Sequence, residues 1–217
     1  MKRLVIICEG PTEQEFIRDV MFSYFSPKGI FIQTPLIKKS GGGIVPWKAL
    51  KEQIIGHLRE GGSIVTTLID YYGIPDRYNY PGWEESKTIV DRVERMIFLE
   101  EYMLNEIPDE LRNRFIPYYQ LHEFEGLLFN NLASFEATFA PSEFKDKVEL
   151  IRILDQYPNP ELINDHPDTA PSKRLDKLIE GYNKIVYGAI LADTIGIVNL
   201  KAKSPRFNKW ITQLENI

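Results

Sequence analysis

The 217-residue chain carries a net charge of −5, with 43% hydrophobic and 26% charged residues, the composition of an ordinary globular protein with one substantial core. That balance argues against a protein that coats nucleic acid by bulk electrostatics. The single cysteine, Cys8, excludes an intrachain disulfide and a cysteine-rich zinc site.

No apolar stretch approaches the roughly 20 residues of a membrane span, and the opening Met1-Lys2-Arg3-Leu4 leads into an apolar run too short for a secretory signal. A cytoplasmic protein without a membrane partner is expected. That first run, residues 4–8, reads as a buried strand, and Cys8 inside it reads as a small core residue rather than a nucleophile. It ends abruptly in Glu9-Gly10-Pro11-Thr12-Glu13.

Residues 12–25 place Phe16, Ile17, Val20, Met21 and Tyr24 at helical spacing, with Thr12 as N-cap and Glu15 completing a capping box. Pro27-Lys28-Gly29 ends that helix. Residues 30–37 read as a second strand, Ser40-Gly41-Gly42-Gly43 as a flexible loop, and residues 46–59 as a helix closed by Gly61-Gly62. The β-branched run 63–69 is a third strand, and it too finishes on an acid, Asp70.

A loop dense in Tyr, Gly and Pro spans 71–82, a charged helix 85–104, and Pro108 breaks it. Residues 115–121 form the fourth predicted strand, which meets His122-Glu123-Phe124-Glu125 and an apolar segment through Phe129. Strands alternating with helices indicate a mostly parallel α/β sheet of about four strands over residues 1–130. Beyond Asn131 the signals are helical, at 141–156, 172–182, 185–194 and 207–214, separated by Pro158-Asn159-Pro160 and His166-Pro167-Asp168. Residues 131–217 therefore read as a C-terminal helical appendage packed on the sheet.

Three strand-to-acid junctions carry the chemistry. Ligands of open α/β sheets bind outside the carboxyl ends of the strands, so Glu9, Asp70 and the Glu123/Glu125 pair share one rim. Such oxygen donors suit Mg2+ or Mn2+ and phosphoryl chemistry. If the fourth strand runs through Glu123 and Glu125, they share a face by the period of two. If a helix starts there, they diverge and one alone is a ligand. Glu13 is either a further ligand or a helix-dipole residue. His122 is either catalytic or bound to a backbone carbonyl, and His57 and His166 carry little signal. From residue 169 onward eight basic residues face four acidic ones. A phosphate-facing surface is expected there, with Lys173 and Arg174 as candidates to position a scissile phosphate. The chain has no P-loop, Gly-x-Ser-x-Gly elbow or Gly-x-Gly-x-x-Gly turn.

Residues 5–13 resemble the first strand and glutamate of TOPRIM domains, the metal-binding module of topoisomerases, primases and OLD-type nucleases. Nearly the whole chain is similar to the bacterial DUF4276 family. The likeness runs through residues 67–73, through residues 120–129 with their His-Glu-Phe-Glu block, and through residues 170–175 and 207–210. It implies a metal-dependent nuclease-like domain working beside an ABC-type or OLD-like ATPase in bacterial defence against phage. By position, Glu9 matches the TOPRIM ligand or general base, and Asp70 the first aspartate of Asp-x-Asp. Tyr72 replaces the second aspartate, so the two-metal arrangement of that motif holds only where Glu123 or Glu125 supplies the missing carboxylate.

The leading expectation is thus a Mg2+- or Mn2+-dependent nuclease on DNA or RNA, with Glu9, Asp70, Glu123 and Glu125 as metal ligands. His122, Lys173 and Arg174 complete its catalytic set. The second reading is a catalytically silent module docking on an ATPase, for which Tyr71, Tyr72, Tyr78, Tyr80 and Trp83 offer an interface. Phosphatase or nucleotidyl-transfer chemistry on small molecules would use the same ligands.

Overall fold

The computed structural model describes residues 2–38, 43–163 and 167–217. The expected loop at 40–43, apart from Gly43, and the separator at His166 lie outside them.

Strands β1 (Lys2–Cys8), β2 (Ile30–Gln33), β3 (Ile64–Asp70), β4 (Phe115–Ile116) and β5 (Tyr119–Gln120) form one parallel sheet. Its order is β2-β1-β3-β4, with β5 also on β3. The chain leaves β1 toward β2 and returns on the other side to β3. The β1/β3 seam is therefore the point where the strand order reverses, which is where open α/β sheets leave a crevice for ligands.

Both central strands are covered on both faces and so read as continuous apolar runs. On β1 the period of two sends Leu4, Ile6 and Cys8 to one core and Val5 and Ile7 to the other. Helices α1 (Pro11–Phe16), α10 (Lys184–Lys203) and α11 (Pro205–Glu215) close the first core, and α3 (Trp47–Arg59) and α5 (Arg92–Asn105) the second. The shorter helices α2 (Phe22–Phe25), α4 (Trp83–Ser86), α6 (Asp109–Arg112), α7 (Leu132–Thr138), α8 (Lys147–Gln156) and α9 (Pro171–Leu178) complete the layers. Cys8 is fully buried and its thiol is pushed up by that burial, which fits a core residue.

Several expectations shift for local reasons. The first helix starts on Gly10 rather than Thr12, because Pro11 occupies its first turn and the Glu13 carboxylate folds back onto the Gly10 N–H (2.9 Å). Residues 17–21 widen to a π-turn before α2. The helix expected over 85–104 is two pieces, since Asp91 caps α5 by accepting from Glu94 N–H (2.8 Å). The fourth strand breaks at Pro117, and Thr67 bridges the gap: its Oγ1 accepts from Tyr118 N–H (3.0 Å) and donates to Tyr118 O (2.8 Å).

Against expectation, one helix, α10, is long and apolar enough to cross a membrane by length and composition. Sequence periodicity ends it at Thr194, but it resumes beyond a break at Gly196 (φ 75°, ψ 152°). Leu191, Ala192, Ile195 and Leu200 lie buried in the first core, and a core helix passes the same test of length and apolarity.

The start of α11 is capped from a distance. The buried Glu161 carboxylate accepts from the N–H groups of Arg206 and Phe207, both at 2.9 Å. A helix leaves its first amides without intrahelical partners, so Glu161→Ala is expected to cost about 2 kcal/mol in urea unfolding. An unchanged midpoint would contradict this role.

Candidate functional site

Because Cys8 pairs with Leu68, the residues just past the ladder, Glu9 and Asp70, emerge together at the seam. Glu9 N–H extends the ladder to Leu68 O (3.1 Å), and the Glu9 carboxylate accepts from Asp70 N–H (3.0 Å). A side chain from β1 thus completes the hydrogen bonding at the end of β3. Gly10 is closely approached here: a Cβ at that position would lie 3.2 Å from Glu13 Oε2, the oxygen that caps α1, which would have to shift by a few tenths of an ångström.

After β5 the chain enters a single-turn helix over Phe124–Leu128, with Glu123 as its cap residue and Glu125 in its first turn. The pair therefore diverges. Glu123 Oε2 accepts from Ser172 N–H (3.0 Å), the start of α9, whereas Glu125 is 1% exposed and its Oε1 lies 3.9 Å from Lys184 Nζ.

The electrostatics tie these groups into one cluster. Burial pushes Glu9 up to about 7 against the opposing Asp70 N–H bond, with Glu13 adding to the rise. Burial likewise raises Glu125 to about 7, opposed by Lys184. Burial raises Asp70 well above the usual carboxylate range, and Glu13, Glu9, Glu125 and Glu123 all push it further. Glu13 is raised by burial too. Asp70 Oδ1 and Glu125 Oε1 are buried without a hydrogen-bond partner among the described residues.

A buried carboxylate oxygen without a donor is costly, and hard oxygen donors sharing one field are what a divalent cation neutralises. Among the described residues no three His, Cys, Asp or Glu side chains stand preassembled around a metal position. Magnesium uses one or two carboxylates and keeps several waters, so the donor set fits a hydrated ion at the Glu9–Asp70 seam.

The other candidates are less central. His122 Nε2 meets Arg92 Nη1 at 3.4 Å, and its carbonyl accepts from Tyr72 N–H. The Arg174 guanidinium donates to Thr169 O (2.8 Å) and lies over the Tyr157 ring, and Lys173 is exposed beside Asp168 (3.7 Å). Among the described residues, the cation that reaches these carboxylates is instead Lys184, which the sequence signalled only through the basic bias after residue 169. Of the loop aromatics, Tyr80 and Trp83 are core residues, Tyr71 and Tyr78 pack half-buried against that core, and Tyr72 is exposed.

The family described as "Domain of unknown function (DUF4276)" matches residues 8–215. The chain belongs to the DUF4276 family. This DUF4276 protein is also similar to the C-terminal region of the Burkholderia pseudomallei OLD protein, at 16% identity, 100% of this chain, 98% of that one and a TM-score of 0.48. It is similar as well to the C-terminal region of the Xanthomonas campestris pv. campestris OLD protein, at 18% identity, coverage of 100% and 99%, and a TM-score of 0.37. No curated protein matches it.

Proposed function

We propose that this DUF4276 protein is a Mg2+- or Mn2+-dependent nuclease. The observation that carries this reading is the pairing of Glu9 and Asp70 across the β1/β3 seam, with buried carboxylate oxygens uncompensated beside them. The bound divalent ion would polarise the phosphodiester and lower the pKa of an attacking water. Glu9 and Asp70 hold that ion, and Glu125 supports the site from its buried turn. Lys184, more than half exposed at its side chain, presents its ammonium to a non-bridging phosphate oxygen as negative charge builds there. Lys173, on the exposed face of α9, contacts flanking backbone phosphates. The family resemblance favours nucleic acid as substrate and an ABC- or OLD-type ATPase as working partner.

The test is cleavage of DNA and RNA by purified protein with Mn2+, with chelator, and with a Glu9→Gln variant. Chelator is expected to abolish cleavage, and Glu9→Gln to lower it by about a hundredfold or more. Cleavage that survives the substitution would sink the assignment. Failure of the wild type to bind Mn2+ at millimolar concentration would favour the silent docking module.

A further inference from the structure

Resting on the metal reading above, we propose that Lys184 is a built-in cation that takes the second-cation position of this site, so that each chain binds one divalent ion. The carboxylates divide by what their oxygens already hold. Glu9, Glu13 and Glu123 each have one oxygen bonded to a backbone amide, those of Asp70, Gly10 and Ser172 respectively. Among the described residues, the buried carboxylate oxygens of this cluster left without a hydrogen bond are Asp70 Oδ1 and Glu125 Oε1. A positive charge already stands 3.9 Å from Glu125 Oε1, the Lys184 ammonium, and no such contact reaches Asp70 among the described ion pairs. One divalent ion at the Glu9–Asp70 end completes the neutralisation.

The placement of Lys184 is built into the fold. It opens α10, whose first amides, those of Ile185 and Val186, are capped by the Asn183 side chain at 3.1 and 3.2 Å. One turn on, α10 packs against α1, with Gly188 facing Thr12 and Phe124 at ordinary contact distance. The same contact fixes the lysine relative to both Glu13 on α1 and Glu125 beside Phe124. Partial burial pulls the ammonium down, yet Glu125, Glu13, Asp70 and Glu123 together hold it above its ordinary value. Two-cation phosphoryl-transfer sites keep their ions roughly 3.5–4 Å apart so that both touch the transferring group. A tethered ammonium supplies the second charge at Glu125 Oε1, so that oxygen draws no second ion while Lys184 is in place.

The experiment counts ions. The metal-free 217-residue chain is titrated with Mn2+ and the free ion is followed by EPR, for wild type, Lys184→Met, Lys184→Gln and Lys184→Arg, each first checked for native circular dichroism. Wild type and Lys184→Arg are expected to bind one ion, and Lys184→Met and Lys184→Gln to bind two, because Glu125 Oε1 then draws a second ion. Two ions in wild type, or one in both neutral variants, would overturn the proposal and leave the metal reading standing. No binding in wild type would overturn both.

Discussion

Without divalent metal, the protein is expected to lose stability as pH rises from about 5 to 8, and Glu125→Gln to remove a large share of that loss. Glu125 is 1% exposed, and burial raises it from 4.5 to about 7. The folded state therefore holds this proton more tightly than the unfolded chain does. Its contribution is complete below about 4.5 and is lost as pH rises through about 7. At 1.36 kcal/mol per pKa unit the ceiling is roughly 3 kcal/mol for this group, and Glu9 acts in the same direction. In urea unfolding, Glu125→Gln should match wild type near pH 5 and exceed it at pH 8. The gain should fall short of the ceiling, because the variant gives up the Lys184 contact. A difference that does not change with pH would show that the carboxylate is not held neutral by the fold. Saturating Mn2+ should stabilise wild type at pH 8 by mass action and do less for the variant.

The same residues show how far the sequence could be read. Glu9 and Asp70 were legible because an apolar run that stops at an acid means a buried strand reaching solvent, and that pattern is local. The Glu123/Glu125 ambiguity was also local, and a single turn of helix resolved it in favour of divergence. Lys184 was not legible. Its role depends on α10 packing against α1, where Gly188 faces Thr12 176 residues away in sequence, and no periodicity encodes that contact. The loop 71–82 misled for the opposite reason. Its aromatic density invites a surface platform, yet Tyr80 and Trp83 fill the second core beside Trp47 and Tyr119. Proline breaks in the sequence marked where elements end but not what replaces the lost pairing, which at Pro117 is the Thr67 hydroxyl. Arg174 shows the limit of charge counting: the local excess of basic residues is real, but a guanidinium bonded to Thr169 O and stacked on Tyr157 is committed to holding its own segment together.

Trp210→Ala is expected to destabilise the protein by about 3–5 kcal/mol, the largest single loss in the first core. The indole is 1% exposed and lies stacked on Tyr118 with ring centroids 4.4 Å apart and planes 9° from parallel. Its Nε1 donates to Thr66 Oγ1 (2.8 Å), and that hydroxyl donates in turn to Ile116 O (2.5 Å). One side chain of α11 thus ties the C-terminal helices to β3 and, through Thr66, to the β4 edge. Truncation removes the ring contacts and leaves the Thr66 hydroxyl without its donor in a buried place. Trp210→Phe keeps most of the apolar contact and loses only the hydrogen bond, so it should cost about 1–2 kcal/mol. Because Leu4 and Ile6 of β1 share a core with Trp210 and Leu214 of α11, the loss should appear as one shifted transition by both tyrosine fluorescence and far-ultraviolet circular dichroism. Two separated transitions would mean that the sheet and the C-terminal helices unfold as independent units, and that the seam bearing Glu9 and Asp70 survives without the helix that delivers Lys184.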